Sequence, residues 1–319
     1  MRKAFVGFVG VLVILSIFTT GCSKSDPYNP SNFIDYSKPR FSWFDKDKPN
    51  ATISNSTTFT KTKFVQQIPE GRDYWIGTFN IETFGATKAE NTPVYEAILN
   101  IIRQYDIIAI QEIRDNSGTV AAHLGNISGY RLEMSDRLGR SISKEQYAFL
   151  WTGRVVPGVS RQYPDSNDKF ERPPFMMDFT LDDYHFVIIT VHTKPEDAQE
   201  EIKALPEVVD WARTQYQLDD IFIMGDLNMD CTYFNKFNLA FTNYTLLINE
   251  KADTTVSKTT NCAYDRIVAT RINDNILSSG VDNEEAATDG DETLQSAISD
   301  HWPVYWTYKK AEINTTIEN

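Results

Sequence analysis

Residues 73–309 predict an α/β domain in which two packed sheets are flanked by helices. Three observations carry that reading. Eight short runs are rich in β-branched and aromatic residues, helical and loop stretches divide them, and no unit repeats at a fixed period. With 319 residues, 41% of them hydrophobic and 13% aromatic, the chain can bury a full core.

In chain order the strand-like runs are "YWIGTFNI", "YDIIAIQEI", "QYAFLW", "FMMDFTL", "HFVIITVH", "DIFIMGDLN", "AYDRIVAT" and "HWPVYWTY". Between the first two, "NTPVYEAILNIIRQYD" predicts a helix. Thr92 is placed to cap it, Pro93 suits its first turn, and Val94, Ile98, Ile101, Ile102 and Tyr105 fall on one side. "PEDAQEEIKALPEVVDWARTQY" predicts a helix pair or a helix kinked at Pro206, because proline lacks the backbone donor and crowds the preceding turn.

The N-terminus predicts export. Arg2 and Lys3 precede an uncharged run from Ala4 to Phe18, too short for the roughly 20 residues that span a bilayer, and small residues follow. Residues 1–21 therefore read as a signal peptide. Gly21-Cys22 followed by "SKSD" resembles a bacterial lipobox, which favours lipidation of Cys22 over simple cleavage, although Thr19 stands where leucine is commonest. Residues 22–72 read as a tether: they hold five of the 13 prolines and "NATISNSTTFTKTK", with Phe33, Phe41, Trp43 and Phe44 available to dock on the domain. Residues 310–319 read as a C-terminal tail. In an oxidising compartment Cys231 and Cys262 favour a disulfide over two buried thiols.

The formal net charge is −13, and losing residues 1–21 removes two positive charges and no negative one. Such a protein is no electrostatic sponge for nucleic acid, so cations must supply the positive charge if it handles phosphates. Polar groups recur at strand ends: Asn80, Glu112, His192, Asp226 with Asn228, and Asp300 with His301. Oxygen donors of this kind suit Mg²⁺, Mn²⁺ or Ca²⁺, and the absence of His-rich or Cys-rich spacing argues against zinc.

The ordered motifs "TFNIETFG", "DIIAIQEIRD", "LGRSISKEQYAFLW", "VHTKP", "GDLNMDC", "TNCAYDRIV" and "ISDHWPV" resemble the deoxyribonuclease I family of the endonuclease/exonuclease/phosphatase superfamily, from about Trp75 to Tyr308. The resemblance implies a four-layered α/β sandwich with two mostly antiparallel central sheets, and a metal-dependent endonuclease acting on DNA as a monomer. It places Cys231 and Cys262 at the family's internal disulfide. Asn80, Glu112 and Asp300 match positions that hold or orient the active-site cation, Mg²⁺ or Mn²⁺. His192 matches the general acid, steered by Glu145; His301 matches the second catalytic histidine, paired with Asp265; Asp226 and Asn228 match contacts to the scissile phosphate and the attacking water. Arg114 and Arg172 match phosphate-contacting arginines, Arg140, Tyr264 and Thr260 belong with them on the substrate side, and Asp253 and Thr255 match a structural Ca²⁺ loop.

Two positions depart from the family. Glu82 replaces an arginine of the first motif and Ser143 replaces a tyrosine that packs in the minor groove, so duplex grip is weakened on the resemblance. The loop "RQYPDSNDKFERPP" lacks the cysteine pair of animal members, and "ADTTVSKTTNC" carries one extra residue. The rival readings are a phosphodiesterase or phosphatase acting on phospholipids or small organophosphates, and a non-catalytic binding protein. Two intact acid–histidine pairs argue against the latter.

Overall fold

The chain divides into two units, Met1–Thr62 and Lys63–Asn319. A computed structural model describes residues 68–311, apart from 70, 141, 143, 236–240 and 284, and all of these lie in the second unit. The signal peptide, Cys22, nearly all of the tether, the residues after 311, and Ser143 lie outside the described residues.

Among the described residues twelve strands and six helices follow one another in this order: β1 (Tyr74–Phe84), α1 (Ala86–Glu90), α2 (Thr92–Ile102), β2 (Ile107–Ile113), α3 (Thr119–Ser128), β3 (Arg131–Met134), β4 (Gln146–Trp151), β5 (Val156–Gln162), β6 (Phe175–Leu181), β7 (Tyr184–His192), α4 (Ala198–Tyr216), β8 (Ile221–Asp226), β9 (Thr245–Leu246), β10 (Asp265–Ala269), β11 (Ile276–Val281), α5 (Glu285–Thr288), α6 (Glu292–Ile298) and β12 (Val304–Tyr308). They form two six-stranded sheets, ordered β11-β12-β1-β2-β4-β3 and β5-β6-β7-β8-β10-β9. Neighbours are antiparallel except β1 with β2 and β7 with β8, so the expected mostly antiparallel pair of sheets is present.

Three apolar clusters make the layers. Between the sheets, Ile76, Phe149, Phe179, Phe186, Phe222 and Trp306 are buried together. Phe222 stacks on Trp306 with centroids 4.3 Å apart, while Phe186 meets the indole edge-on. Burying one such ring contributes about 1.5–3 kcal/mol. Outside the first sheet, Val94, Ile98, Ile101 and Ile102 of α2 join Leu124 of α3 and Ile298 of α6 against Phe79, Ile108 and Leu150. Outside the second sheet, Ile202, Leu205, Val208, Val209 and Ala212 of α4 cover Val187, Ile189, Ile221 and Ile223.

One helix reading changes and one is narrowed. Asn91 is the N-cap of α2 and Thr92 is its first helical residue, which puts Pro93 in the first turn where its missing N–H costs nothing. The α4 sequence forms one helix of 19 residues with Pro206 inside it, preceded by a 3-10 turn at Pro195–Asp197. Its apolar stripe, buried along the sheet, outweighs the one donor that Pro206 lacks. Among the described residues no helix is long and apolar enough to cross a membrane.

The two parallel pairs decide where chemistry is possible. Because β1 with β2 and β7 with β8 run the same way, each pair delivers two C-terminal ends to one end of its sheet.

Candidate active site

Strand register aligns the acids and the imidazoles. His192 lies level with Asp226 across β7 and β8, and Asp226 lies level with Asp265 across β8 and β10. On the first sheet Asn80 is level with Gln111, so Glu112 stands one residue beyond it. An isolated bridge between Thr255 and His301 brings in the segment that precedes β12.

Asp226 sits at the centre. Its Oδ2 accepts a hydrogen bond from Asn80 Nδ2 at 3.1 Å and lies 3.5 Å from His192 Nε2 and 3.6 Å from His301 Nε2. Its Oδ1 accepts the Asn228 backbone N–H at 3.0 Å, while Asn228 Nδ2 donates to the Thr193 carbonyl at 3.1 Å. One carboxylate oxygen thus faces both rings.

Each ring is held from behind. His192 Nδ1 is 3.3 Å from Glu145 Oε2, and His301 Nδ1 is 2.8 Å from Asp265 Oδ2. A carboxylate at Nδ1 fixes the proton there in the neutral ring and leaves Nε2 as the working nitrogen. Burial alone would raise the Glu145 carboxyl, but His192, Arg172 and Arg114 hold it down to about 2. Burial and Arg172 push His192 down; Glu145 and Asp226 outweigh them and raise it. Burial likewise opposes the charged form of His301, yet Asp265 and Asp226 raise it well above the ordinary histidine value.

Glu112 is aimed by an unusual backbone. Glu82, Thr83 and Glu112 have left-handed φ values of 43°, 51° and 61°, a conformation that costs an L-residue of order 1 kcal/mol. The strand pairing shifts register at these positions. The result turns Glu112 inward: Oε1 accepts from Asn80 Nδ2 at 3.2 Å, and Oε2 accepts the Thr83 N–H at 3.0 Å and pairs with Arg114 at 3.0 Å. Glu112 and Asp226 therefore share one amide donor, a crowding of like charges that a divalent cation would neutralise. Ligand-capable atoms of Glu112, Glu145 and His192, and of Asp226, Asp265 and His301, lie within 4.8 Å of one another in each group. Glu145 and Asp265 are committed to imidazoles, so the carboxylates that could take a hard cation near Asn80 are Glu112, Asp226 and the neighbouring Asp300.

A family model described as the endonuclease/exonuclease/phosphatase family matches residues 77–301. The chain belongs to the endonuclease/exonuclease/phosphatase family. It is a hydrolase, and the likeness to deoxyribonuclease I read from its motifs is matched by its relatives. It is 36% identical to mouse (Mus musculus) deoxyribonuclease gamma over 71% of this chain and 82% of that protein. It is 35% identical to deoxyribonuclease-1 of Bos taurus over 72% of this chain and 90% of that protein. Among solved structures, an endonuclease/exonuclease/phosphatase family protein of Bacteroides thetaiotaomicron aligns with a TM-score of 0.54 at 14% identity, covering 76% of this chain and 99% of its own. A truncated TDP2 of Caenorhabditis elegans aligns with a TM-score of 0.53 at 14% identity, covering 75% and 98%. At that identity the two structures speak for the fold alone.

Within this family member the residues singled out from sequence separate into three groups. Asn80, Glu112, Glu145, His192, Asp226, Asn228, Asp265 and His301 come together as described. Asp300 flanks them, its side chain 65% exposed and its Oδ1 3.7 Å from His301 Nε2. Arg114 reaches the group through Glu112 and lies 4.0 Å from Glu145, whereas Arg172 pairs with Glu145 Oε1 at 2.5 Å and donates to the His192 carbonyl. Tyr264 stands beside the His301 ring at 6.2 Å. Arg140 turns elsewhere, to Asp168 at 3.0 Å and Glu171 at 3.7 Å. Asp253, Thr255 and Thr260 close a local turn, in which Thr255 Oγ1 lies 2.8 Å from both Asp253 Oδ1 and the Thr260 carbonyl oxygen and shares its one proton between them. Cys231 and Cys262 are disulfide-bonded.

Several supporting residues escaped sequence reasoning. Ser299 Oγ donates to the Asn80 carbonyl at 2.6 Å and accepts the His301 N–H, and Thr254 Oγ1 accepts the N–H groups of Tyr264 and Asp265. Lys88 donates to the Ile81 and Ile298 carbonyls and to that of Glu82, tying the end of β1 to the end of α6. Such hydroxyls and lysines look in sequence like turn and surface residues, and only their burial marks them.

Proposed function

We propose that this chain is an exported, divalent-cation-dependent endonuclease that hydrolyses DNA phosphodiester bonds, held at a membrane by lipid on Cys22 and acting as a monomer. The convergence of His192 Nε2 and His301 Nε2 on one oxygen of Asp226 supports this most, because phosphodiester hydrolysis needs a base and an acid on opposite sides of one phosphate. The names of the deoxyribonuclease relatives supply the substrate.

In this reading the neutral form of His301, backed by Asp265, takes a proton from the attacking water, with Asp226 and Asn228 orienting that water and the phosphate. The new P–O bond forms as the ester P–O bond breaks. His192, steered by Glu145, gives its proton to the departing oxygen, which leaves as a hydroxyl and leaves the phosphate as a monoester that carries the water oxygen. Arg114 faces the phosphate oxygens. Glu112 and Asp300, with Asn80, would hold Mg²⁺ or Mn²⁺, which supplies positive charge to the non-bridging oxygens when bound. Asp253 and Thr255 would hold a structural Ca²⁺.

The test is to incubate the protein with supercoiled plasmid, RNA, sphingomyelin and a chromogenic phosphodiester, with Mg²⁺ or with EDTA. Nicking of plasmid that EDTA abolishes and Mg²⁺ or Mn²⁺ restores is the expected result. Full activity in EDTA would remove the cation from the reaction. The 44%-exposed Glu82 carboxylate beside the site favours a second reading, a phosphodiesterase or phosphatase for phospholipids or small organophosphates. Turnover of sphingomyelin or the chromogenic ester with intact plasmid would establish that reading instead.

A further inference from the structure

Glu201, in the first turn of α4, is a buried acid that no step above uses. Its two oxygens reach two different loops. Oε1 accepts the Glu171 backbone N–H at 3.0 Å, and Oε2 accepts the Lys194 backbone N–H at 3.4 Å. The first loop carries Arg172, whose Nε donates to the His192 carbonyl at 2.9 Å and whose guanidinium pairs with Glu145 at 2.5 Å. The second is the turn that leaves β7 directly after His192. Phe170, buried in the cluster under α4, anchors the first loop to the same helix.

These contacts close a ring: Glu201 to Glu171, Arg172 to the His192 backbone, and Lys194 back to Glu201. We infer that Glu201 is a positioning residue that fixes the Arg172 loop and the turn after His192 to α4, and so holds the Glu145–His192 pair in its working geometry. A buried carboxylate is costly to an apolar layer, and burial pushes this one up to about 7 against the two N–H groups and Arg172. The two loop contacts give that cost a purpose.

The inference rests on the proposed phosphodiesterase reading, so the wild-type protein is assayed first on supercoiled plasmid with Mg²⁺. Absence of any cleavage there defeats the reading, not the clamp. Given wild-type cleavage, Glu201→Gln keeps the volume and one acceptor but presents an amide N–H to the second loop. The expected result is a fall in kcat of about tenfold or more with KM within about threefold, since a small misplacement of a catalytic group lowers turnover rather than binding. The ring signals of His192 in ¹⁵N-histidine-labelled protein should shift while those of His123 and His185 stay in place. Glu201→Asp keeps the charge but shortens the reach, and should fall between wild type and Gln. If the Gln variant does not fold, the Asp variant carries the same two measurements. Wild-type kcat and unmoved His192 signals in the folded variant overturn the inference, as does an equal loss in kcat/KM that comes entirely from KM.

Discussion

Two imidazoles face one carboxylate oxygen, and in the proposed reaction each has its own proton to carry. His192→Ala or His301→Ala should lower kcat at least about 100-fold, the usual contribution of a positioned acid or base, while circular dichroism shows the protein still folded. Wild-type turnover in either variant would reassign the roles. Glu145 permits a prediction in pH. Its folded-state pKa of about 2 lies below the unfolded value, so its contribution is fully present above the unfolded pKa of about 4.5 and is lost as pH falls through about 2. That difference corresponds to about 3 kcal/mol. Glu145→Gln should therefore be destabilised at pH 6, and denaturant titrations should show the gap to wild type narrowing between about pH 4.5 and pH 2. A gap that is constant with pH would detach Glu145 from the charges around it.

Single strands show the same dependence on place. Gly225 precedes Asp226 in β8 with φ of +145°, and a Cβ there would lie 2.0 Å from the Val191 carbonyl oxygen of β7. No rotamer relieves a clash with backbone. Gly225→Ala should cost at least about 2 kcal/mol of stability and also lower kcat, because the strand must part from β7 where His192 and Asp226 are aligned. A stable, fully active alanine variant would show that the two strand ends tolerate separation. Legibility at this scale followed burial. All eight strands read from sequence are present, since each is buried and rich in β-branched or aromatic residues. The strands β3, β5, β9 and β11 were missed: they are the four edge strands of the two sheets, with exposed residues such as Val156, Val159 and Leu277 and no clean alternation. The α2 cap was misread, and the choice between two helices and one at α4 stayed open, because propensity is local and packing set both outcomes.

Across the molecule, charge governs how a polyanion approaches. With a formal net charge of −13, long-range attraction is absent and affinity must come from local cations. Glu82, paired with Lys88 at 3.4 Å, adds a negative charge at the mouth of β1. Glu82→Arg should lower KM for duplex DNA at low salt with kcat little altered. It should also steepen the salt dependence, by about 0.9 in the slope of log K against log salt for one added phosphate contact. KM measured at two salt concentrations decides this, and an unchanged KM at low salt would mean that position 82 does not meet the backbone of DNA.

Sequence alone determined the layers and the chemistry on offer. Hydrophobic periodicity depends only on neighbours along the chain, so it exposed the buried strands, and the ordered motifs identified the two acid–histidine pairs and the disulfide cysteines. Tertiary structure alone decided which of these groups meet. Asn80 and Asp226 are 146 residues apart and share a hydrogen bond only because two parallel strand pairs end at the same gap. The same long-range packing turned Arg140 toward Asp168 and Glu171, committed Arg172 to Glu145, and buried Glu201 under two loops. Charges have no partner in sequence; they acquire one when the chain closes and desolvation makes each unpaired group costly.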